Sequence, residues 1–310
     1  MIEQRLLARL EQKKTQLDAL RPLPGAAVRR LNEQLTVEWI YNSNAIEGST
    51  LTLRETQLVL QTGLTIGGKS LREHFEVINH RDAIEYVEAL AAGEGPITAF
   101  EIRQIHKLVM MHIDDQGAGQ YRTLPVRIAG TSRQPPDAWE VARYMVEWSD
   151  WLEGPALALH SIERAALAHH RLVAIHPFLD GNGRTGRLVM NLRLMRDGYP
   201  PTVILRTNRQ QYYRVLARAD AGDVNSLVNF VGRAVERSLT LYLEACTPRG
   251  GPPDPEDQWI SLRAAAAGTP YSQEYLSLLA RTGRLEVVKR GRAWYTTRRA
   301  VETYRRSVTR

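Results

Sequence analysis

The sequence predicts an all-α protein carrying a small β-hairpin flap and a separate helix-turn-helix module at its C-terminal end. Three observations lead there: apolar residues recur at helical spacing over most of the chain, only one short stretch alternates like a strand, and a Pro/Gly run cuts off the last fifth. The 310 residues are 43% hydrophobic and 24% charged, ordinary for a globular chain of about two domains. No apolar run reaches the roughly 18–20 residues of a membrane span, and Met1-Ile2-Glu3-Gln4 opens no secretory signal. The single cysteine, Cys246, excludes an internal disulfide framework and a multi-thiolate metal cage, so a reducing cytoplasm is the expected compartment.

Taken in order, Leu6, Leu10, Leu17 and Leu20 mark a first helix, and Val28 to Glu47 a second. Val126-Arg127-Ile128 alternates like a strand beside turn-rich Gly130-Thr131-Ser132, giving a hairpin expected over 126–136. Leu159, Ile162, Ala166 and Val173 define a helix before residue 176, and Leu188, Leu192 and Met195 one after it, stopped at Gly198-Tyr199-Pro200-Pro201. Thr247 to Pro255 continues neither helix nor strand. The expected boundaries are a helical region at 1–95, a core domain at 96–246, a linker at 247–256 and a last module at 257–310. The net charge of +7 is uneven: residues 254–310 hold 11 basic and 6 acidic residues, against 30 and 28 in the rest. Polyanion affinity is therefore expected of the last module only.

His176-Pro177-Phe178-Leu179-Asp180-Gly181-Asn182-Gly183-Arg184-Thr185-Gly186-Arg187 joins two helices, and its residue types suit phosphate chemistry. Small residues at 181–183 let backbone N–H groups converge on an anion, and a helix starting near Arg184 adds its positive end. Arg184 and Arg187, three apart, share a helical face and can grip phosphate oxygens. Asp180 is a hard oxygen ligand suited to Mg²⁺, and His176, stiffened by Pro177, is the base available near neutral pH. Gly181 to Gly186 also spells the dinucleotide fingerprint G-x-G-x-x-G, but the preceding segment is helical and no Asp or Glu lies between Asp197 and Asp220. A zinc site from His160, His169, His170 and His176 is not expected, because adjacent His169 and His170 cannot share one ligand sphere on a helix.

The string HPFLDGNGRTGR resembles the core motif of the Fic family, HPFx(D/E)GN(G/K)RxxR, at every fixed position, and the resemblance extends over residues 30–245. It implies the Fic helical fold and transfer of AMP from ATP to a Ser, Thr or Tyr hydroxyl of a target protein. By position, it makes His176 the base and Phe178 an inward anchor. Asp180 becomes the Mg²⁺ ligand, and Gly181, Asn182 and Gly183 the anion cradle with Asn182 at the α-phosphate. Arg184 takes the β-phosphate and Arg187 the γ-phosphate, with Thr185 and Gly186 between them. Gly183 accompanies nucleotidyl transfer, whereas Lys there marks Doc-type kinases. Gly119-Gln120-Tyr121-Arg122 and the hairpin with Val126, Ile128, Ala129, Gly130 and Thr131 are similar to the segment that docks the target. Tyr212-Tyr213, followed by Gly222-Asp223, resembles the part that closes over the base.

Upstream, Ser43-Asn44-Ala45-Ile46-Glu47-Gly48 resembles the family's inhibitory motif (S/T)xxxE(G/N), with Ser43, Glu47 and Gly48 at its fixed positions. Glu47 paired with Arg187 would occupy the place of the γ-phosphate. In some members the equivalent glutamate orients a water that removes AMP, so the reverse reaction stays open, as does a DNA-binding regulator whose Fic module senses nucleotide. A homodimer is a family-level expectation.

In the last module, residues 260–267 read as a short helix, Ser272 as the N-cap of a second over 273–280, Lys289 to Arg292 as a hairpin tip, and Thr297 as the start of a final helix. This is the layout of winged helix-turn-helix domains, in which Tyr271, Gln273 and Tyr275 would face bases, and Arg290 and Arg292 the DNA backbone. The same layout also serves protein docking and dimer contacts.

Overall fold

The computed structural model describes residues 1–128, 133–247, 259–267, 269–282, 284–290 and 293–308, which divide into two compact units, Met1–Cys246 and Thr247–Arg310. The described residues of unit one form ten α-helices: α1 (Gln4–Ala19), α2 (Gly25–Glu47), α3 (Leu53–Thr62), α4 (Leu71–Ala92), α5 (Ala99–Met110), α6 (Val141–Glu153), α7 (Ser161–Ile175), α8 (Asn182–Arg196), α9 (Arg209–Asp220) and α10 (Val224–Cys246). Several starts are written in the sequence as capping boxes. Thr52 with Glu55, Ser70 with Glu73 and Thr98 with Glu101 each satisfy two orphan N–H groups at the heads of α3, α4 and α5.

Helix α8 is the axle. Its residues 184–194 are buried all round, the mark of a helix enclosed by others rather than lying on a surface. Leu188, Val189 and Leu192 join one core with Ala168 and Leu172 of α7, Ile84 and Val87 of α4, and Ile102 and Ile105 of α5. Met190 and Leu194 join a second core with Leu6, Leu10 and Leu17 of α1, Ile46 of α2, and Leu227, Val231 and Val235 of α10. The head of α8, where the loop from His176 ends, is thereby fixed from both sides. No helix among the described residues is long and apolar enough to cross a membrane.

The hairpin expected over 126–136 has no strand among its described residues. Val126 and Ile128 are in no strand, and Ala129, Gly130 and Thr131 lie outside the described residues. Three alternating residues are a weak strand signal, and a two-stranded ribbon is marginal without further partners. The base of the segment is nevertheless fixed: Arg122 donates to the carbonyls of His176 (2.8 Å), Leu124 (3.2 Å) and Pro136 (2.5 Å), and its own N–H to Pro177 (2.9 Å).

Unit two contains β1 (Ile260–Ser261), α11 (Leu262–Ala266), α12 (Gln273–Arg281), β2 (Val288–Arg290), β3 (Ala293–Thr296) and α13 (Arg298–Val308), with an antiparallel sheet in the order β1-β3-β2. The helix expected over 260–267 is shortened, because Ile260 and Ser261 pair with Thr296 and Tyr295 before Ser261 caps α11. Tyr271 stacks on Tyr275 and meets Tyr304 edge-on, while the Tyr275 and Tyr304 hydroxyls lie 3.0 Å apart. Two of the side chains expected at base edges are thus engaged within their own unit. Gln273 is exposed, and the Arg290 side chain and Arg292 lie outside the described residues.

Truncating fully buried Leu10 empties the α1–α10 seam, so Leu10→Ala should cost about 2–5 kcal/mol in urea unfolding. A loss below about 1 kcal/mol would mean that α1 is only lightly docked.

Candidate active site

The site forms where α7 ends and α8 begins. His176 terminates α7 in the left-handed region (φ 51°), which turns the chain into Pro177 and the loop. Its Nδ1 lies 3.3 Å from the Val173 carbonyl, an acceptor, so Nδ1 carries the proton and Nε2 keeps its lone pair. Burial lowers the pKa of this ring below its ordinary 6.5, with the Arg122 charge adding to the effect, so the neutral base predominates at pH 7.

The loop is stapled to itself and to α5. The Asn182 side chain accepts from Phe178 N–H (3.0 Å) and donates to Phe178 C=O (2.8 Å). Asn182, expected to reach an α-phosphate, therefore spends its amide on the loop, leaving its backbone N–H for an anion. Phe178 is fully buried, as the resemblance implies, and stacks on His106 at 3.6 Å between centroids. His106 was not singled out from the sequence, yet it ties the loop down. Its Nδ1 accepts from Gly119 N–H (3.0 Å), so Nε2–H donates to the Asp180 carbonyl (3.0 Å), and burial lowers its pKa to about 4.

Gly181 caps α8 with φ 75°, and Thr185 N–H is the first to bond back, to Gly181 C=O (2.9 Å). The N–H groups of Asn182, Gly183 and Arg184 therefore have no intrahelical acceptor, and a helix head of this kind suits an anion. Both arginines are buried. Arg184 lies 3.3 Å from Glu76 of α4 and 3.6 Å from Asp180. Asp180 is also hydrogen-bonded by Arg72 of α4 and by Gly181 N–H (2.6 Å). Burial pushes the Asp180 carboxyl up, but Arg184, the Gly181 N–H and Arg72 outweigh it and hold the group below its usual range. Arg72 and Glu76 carry no local signal in the sequence.

Arg187 is enclosed by residues of α2. Glu47 Oε1 lies 2.8 Å from its Nη1, while its Nε and Nη2 donate to the Ser43 hydroxyl (3.1 Å) and carbonyl (2.8 Å). Burial opposes its charge, but Glu47 outweighs that and the guanidinium is held more firmly protonated than usual. The end of α2 that carries Glu47 is itself tied down. Gly48 caps it at φ 112°, and the Ile46 carbonyl accepts from Arg209 Nε (2.7 Å) and the Tyr213 hydroxyl (3.4 Å). A Cβ at Gly183 would collide with Glu47 Oε1, so this glycine is what lets the carboxylate lie against the cradle.

Tyr212 and Tyr213, expected at a nucleotide base, are used differently. Tyr212 is 1% exposed, with its hydroxyl 2.8 Å from His169 Nε2 and 3.5 Å from Arg187 Nη1. Tyr213 stands over Arg209 and holds α2. Of the histidines weighed as zinc ligands, His169 faces Tyr212 and His170 faces Asp220 (3.0 Å). No group of three or more His, Cys, Asp or Glu able to hold a metal occurs among the described residues. The lone carboxylate of Asp180 fits a Mg²⁺ ion that brings most of its ligands as substrate phosphates and water.

Comparison with known proteins places this site in a family. Residues 96–194 match the Fic/DOC family model. The protein adenylyltransferase Fic of Drosophila grimshawi is 39% identical over 245 residues, 79% of this chain and 50% of that protein, so the chain spans about half the length of the curated relatives it matches. A Fic domain containing signaling protein from Bacteroides thetaiotaomicron superposes with a TM-score of 0.72 at 32% identity, over 77% of this chain and 96% of that one. A Fic family protein from Desulfovibrio desulfuricans superposes with a TM-score of 0.68 at 25% identity, over 94% of both chains. The chain belongs to the Fic/DOC family and has its fold.

His80, His106 and His169 are buried and neutral, and burial is the first cause of each lowered pKa. Below pH 6.5 the unfolded chain takes up protons that the folded chain refuses, so stability falls with pH by about 1.4 kcal/mol per unit for each group. Urea unfolding at pH 7 and pH 5 should show that loss; equal stability would mean these rings protonate in place.

Proposed function

We propose that this chain is a self-inhibited protein adenylyltransferase, which moves AMP from ATP to Ser, Thr or Tyr hydroxyls of target proteins and of itself. The observation that carries the reading is one neutral histidine base beside a helix head flanked by two buried arginines and a carboxylate. His176 Nε2 takes the proton of the target hydroxyl as that oxygen attacks the α-phosphorus, and pyrophosphate leaves. The N–H groups of 182–184 receive the negative charge of the phosphoryl oxygens, and Arg184 and Arg187 hold the β- and γ-phosphates. Asp180 would hold Mg²⁺, which when bound supplies charge neutralisation on the phosphates. The segment fixed at its base by Arg122 receives the target polypeptide. ATP as donor, Mg²⁺ and the target hydroxyl come from the family resemblance, and the naming of the Drosophila relatives supports adenylyl transfer to protein.

Inhibition follows from Glu47. A carboxylate 2.8 Å from Arg187 Nη1 competes for the guanidinium with a γ-phosphate. Breaking a buried pair one-sidedly costs about 3–5 kcal/mol, and Glu47, 32% exposed, should sit at the low end. The position of Glu47 against Gly183 also supports a second reading, in which the same carboxylate orients a water for AMP removal.

For unit two, the basic excess fits DNA contact, whereas α12 exposes Leu278 (52%) with Glu274 at its head, chemistry suited to a protein surface. The nucleotide-sensing DNA regulator and the homodimer rest on layout and resemblance alone.

Incubation with α-³²P-ATP and Mg²⁺ tests the reading. Protein labelling should rise at least about tenfold in Glu47→Gly and vanish when His176→Ala is added. Transfer of γ-label without α-label would replace this chemistry with phosphoryl transfer.

A further inference from the structure

Among the described residues, the side-chain partners of Arg187 come from two sources. Ser43 and Glu47 both belong to α2, the helix that imposes inhibition. The remaining one, the Tyr212 hydroxyl at 3.5 Å from Nη1, belongs to α9. An arginine released by α2 would otherwise lose every side-chain partner holding its guanidinium in place.

The hydrogen-bond directions of this contact are fixed by chemistry. Arginine only donates, so the Tyr212 oxygen accepts from Arg187. The Tyr212 O–H is then free to donate to His169 Nε2 at 2.8 Å, which must be unprotonated at that nitrogen. The interior meets that condition, since His169 is fully buried and its pKa falls to about 3, first through burial and then through the Arg187 charge. The His169 and Tyr212 rings lie near-parallel at 5.8 Å. The backbone of α8 presses on the imidazole, since a Cβ at Gly186 would come within 2.7 Å of His169 Nδ1. Three enclosed side chains from α8, α9 and α7 thus form a directed chain, Arg187 to Tyr212 to His169.

We propose that Tyr212, backed by His169, is a positioning pair that keeps Arg187 aimed at the terminal phosphate once α2 lets go. The proposal rests on the assignment of Arg187 to the γ-phosphate made above. Both residues act through Arg187 and touch no substrate. Their contribution is largest when Glu47 is absent, because Glu47 otherwise holds Nη1, the same nitrogen that donates to Tyr212. The loss on removing the Tyr212 hydroxyl therefore falls on nucleotides with a γ-phosphate and spares those without one.

Calorimetric titration of the full chain with ATP and with ADP, each with Mg²⁺, tests this. In the Glu47→Gly background, Tyr212→Phe should weaken ATP about tenfold and leave ADP nearly unchanged, with a smaller effect on ATP when Glu47 is present. His169→Leu should reproduce that loss, and His169→Gln, which places an accepting oxygen near the Nε2 position, should recover most of it. Equal weakening of ATP and ADP, or equal loss in both backgrounds, would reduce Tyr212 to a packing role and overturn the proposal. Arg187→Ala in the Glu47→Gly background separates the two levels. If it leaves the ATP-over-ADP preference intact, the phosphate assignment itself fails. If it abolishes the preference and Tyr212→Phe does not touch it, the positioning pair fails. Should His169→Leu not fold in thermal unfolding, the conservative Tyr212→Phe change still decides the matter.

Discussion

A guanidinium buried inside a helical protein must be met by fixed acceptors, and much of this site follows from meeting that demand at Arg187. Its partners come from α2 and α9, with His169 of α7 standing behind one of them, so the same charge that suits a triphosphate also draws the surrounding helices to the head of α8. Solvating the ion with Ser43 and Glu47 satisfies the interior while occupying the functional group. On the proposed reading, folding and inhibition are two consequences of one contact, and a change at Glu47 trades one against the other.

The same logic extends along α4. Glu76 faces Arg184 and Arg72 binds Asp180, so each charged group of the loop has an opposite charge supplied by an N-terminal helix. A polyphosphate with its cation would have to exchange these protein partners for its own. On the proposed reading, the energetic difference between the two sets, rather than the strength of either, sets how readily the site takes nucleotide.

Local signals were legible in the sequence and long-range ones were not. The helix–loop–helix around residues 176–187 could be read because Pro177, Gly181 and Gly183 act through their own backbone, and the motif holds its histidine, glycines and arginines within twelve consecutive residues. Glu47 was legible as a partner of Arg187 only beside the full motif, since a lone carboxylate at a helix end has no address. His106, Glu76 and Arg72 left no trace, because each meets the loop across 74, 108 and 108 positions for the contacts His106–Asp180, Glu76–Arg184 and Arg72–Asp180. The contacts of Tyr212 with His169 and Arg187 are hidden from the sequence for a related reason. Its aromatic character suited a base-stacking role, and nothing nearby in sequence announced that His169 would receive its hydroxyl. Val126-Arg127-Ile128 suggested a strand by alternation, while Ile260-Ser261 looked helical until its pairing with β3, some 35 residues on, decided otherwise.

The most direct test of the central claim is the dissociation constant of ATP·Mg²⁺ for Glu47→Gln, which keeps the shape of the side chain and removes only its charge. The competition described here predicts at least about tenfold tighter ATP binding than in the unaltered chain, with AMP binding unchanged, since AMP has no group to contest Arg187. Equal ATP affinity in the two proteins would contradict it and leave the contact between Glu47 and Arg187 as a structural ion pair.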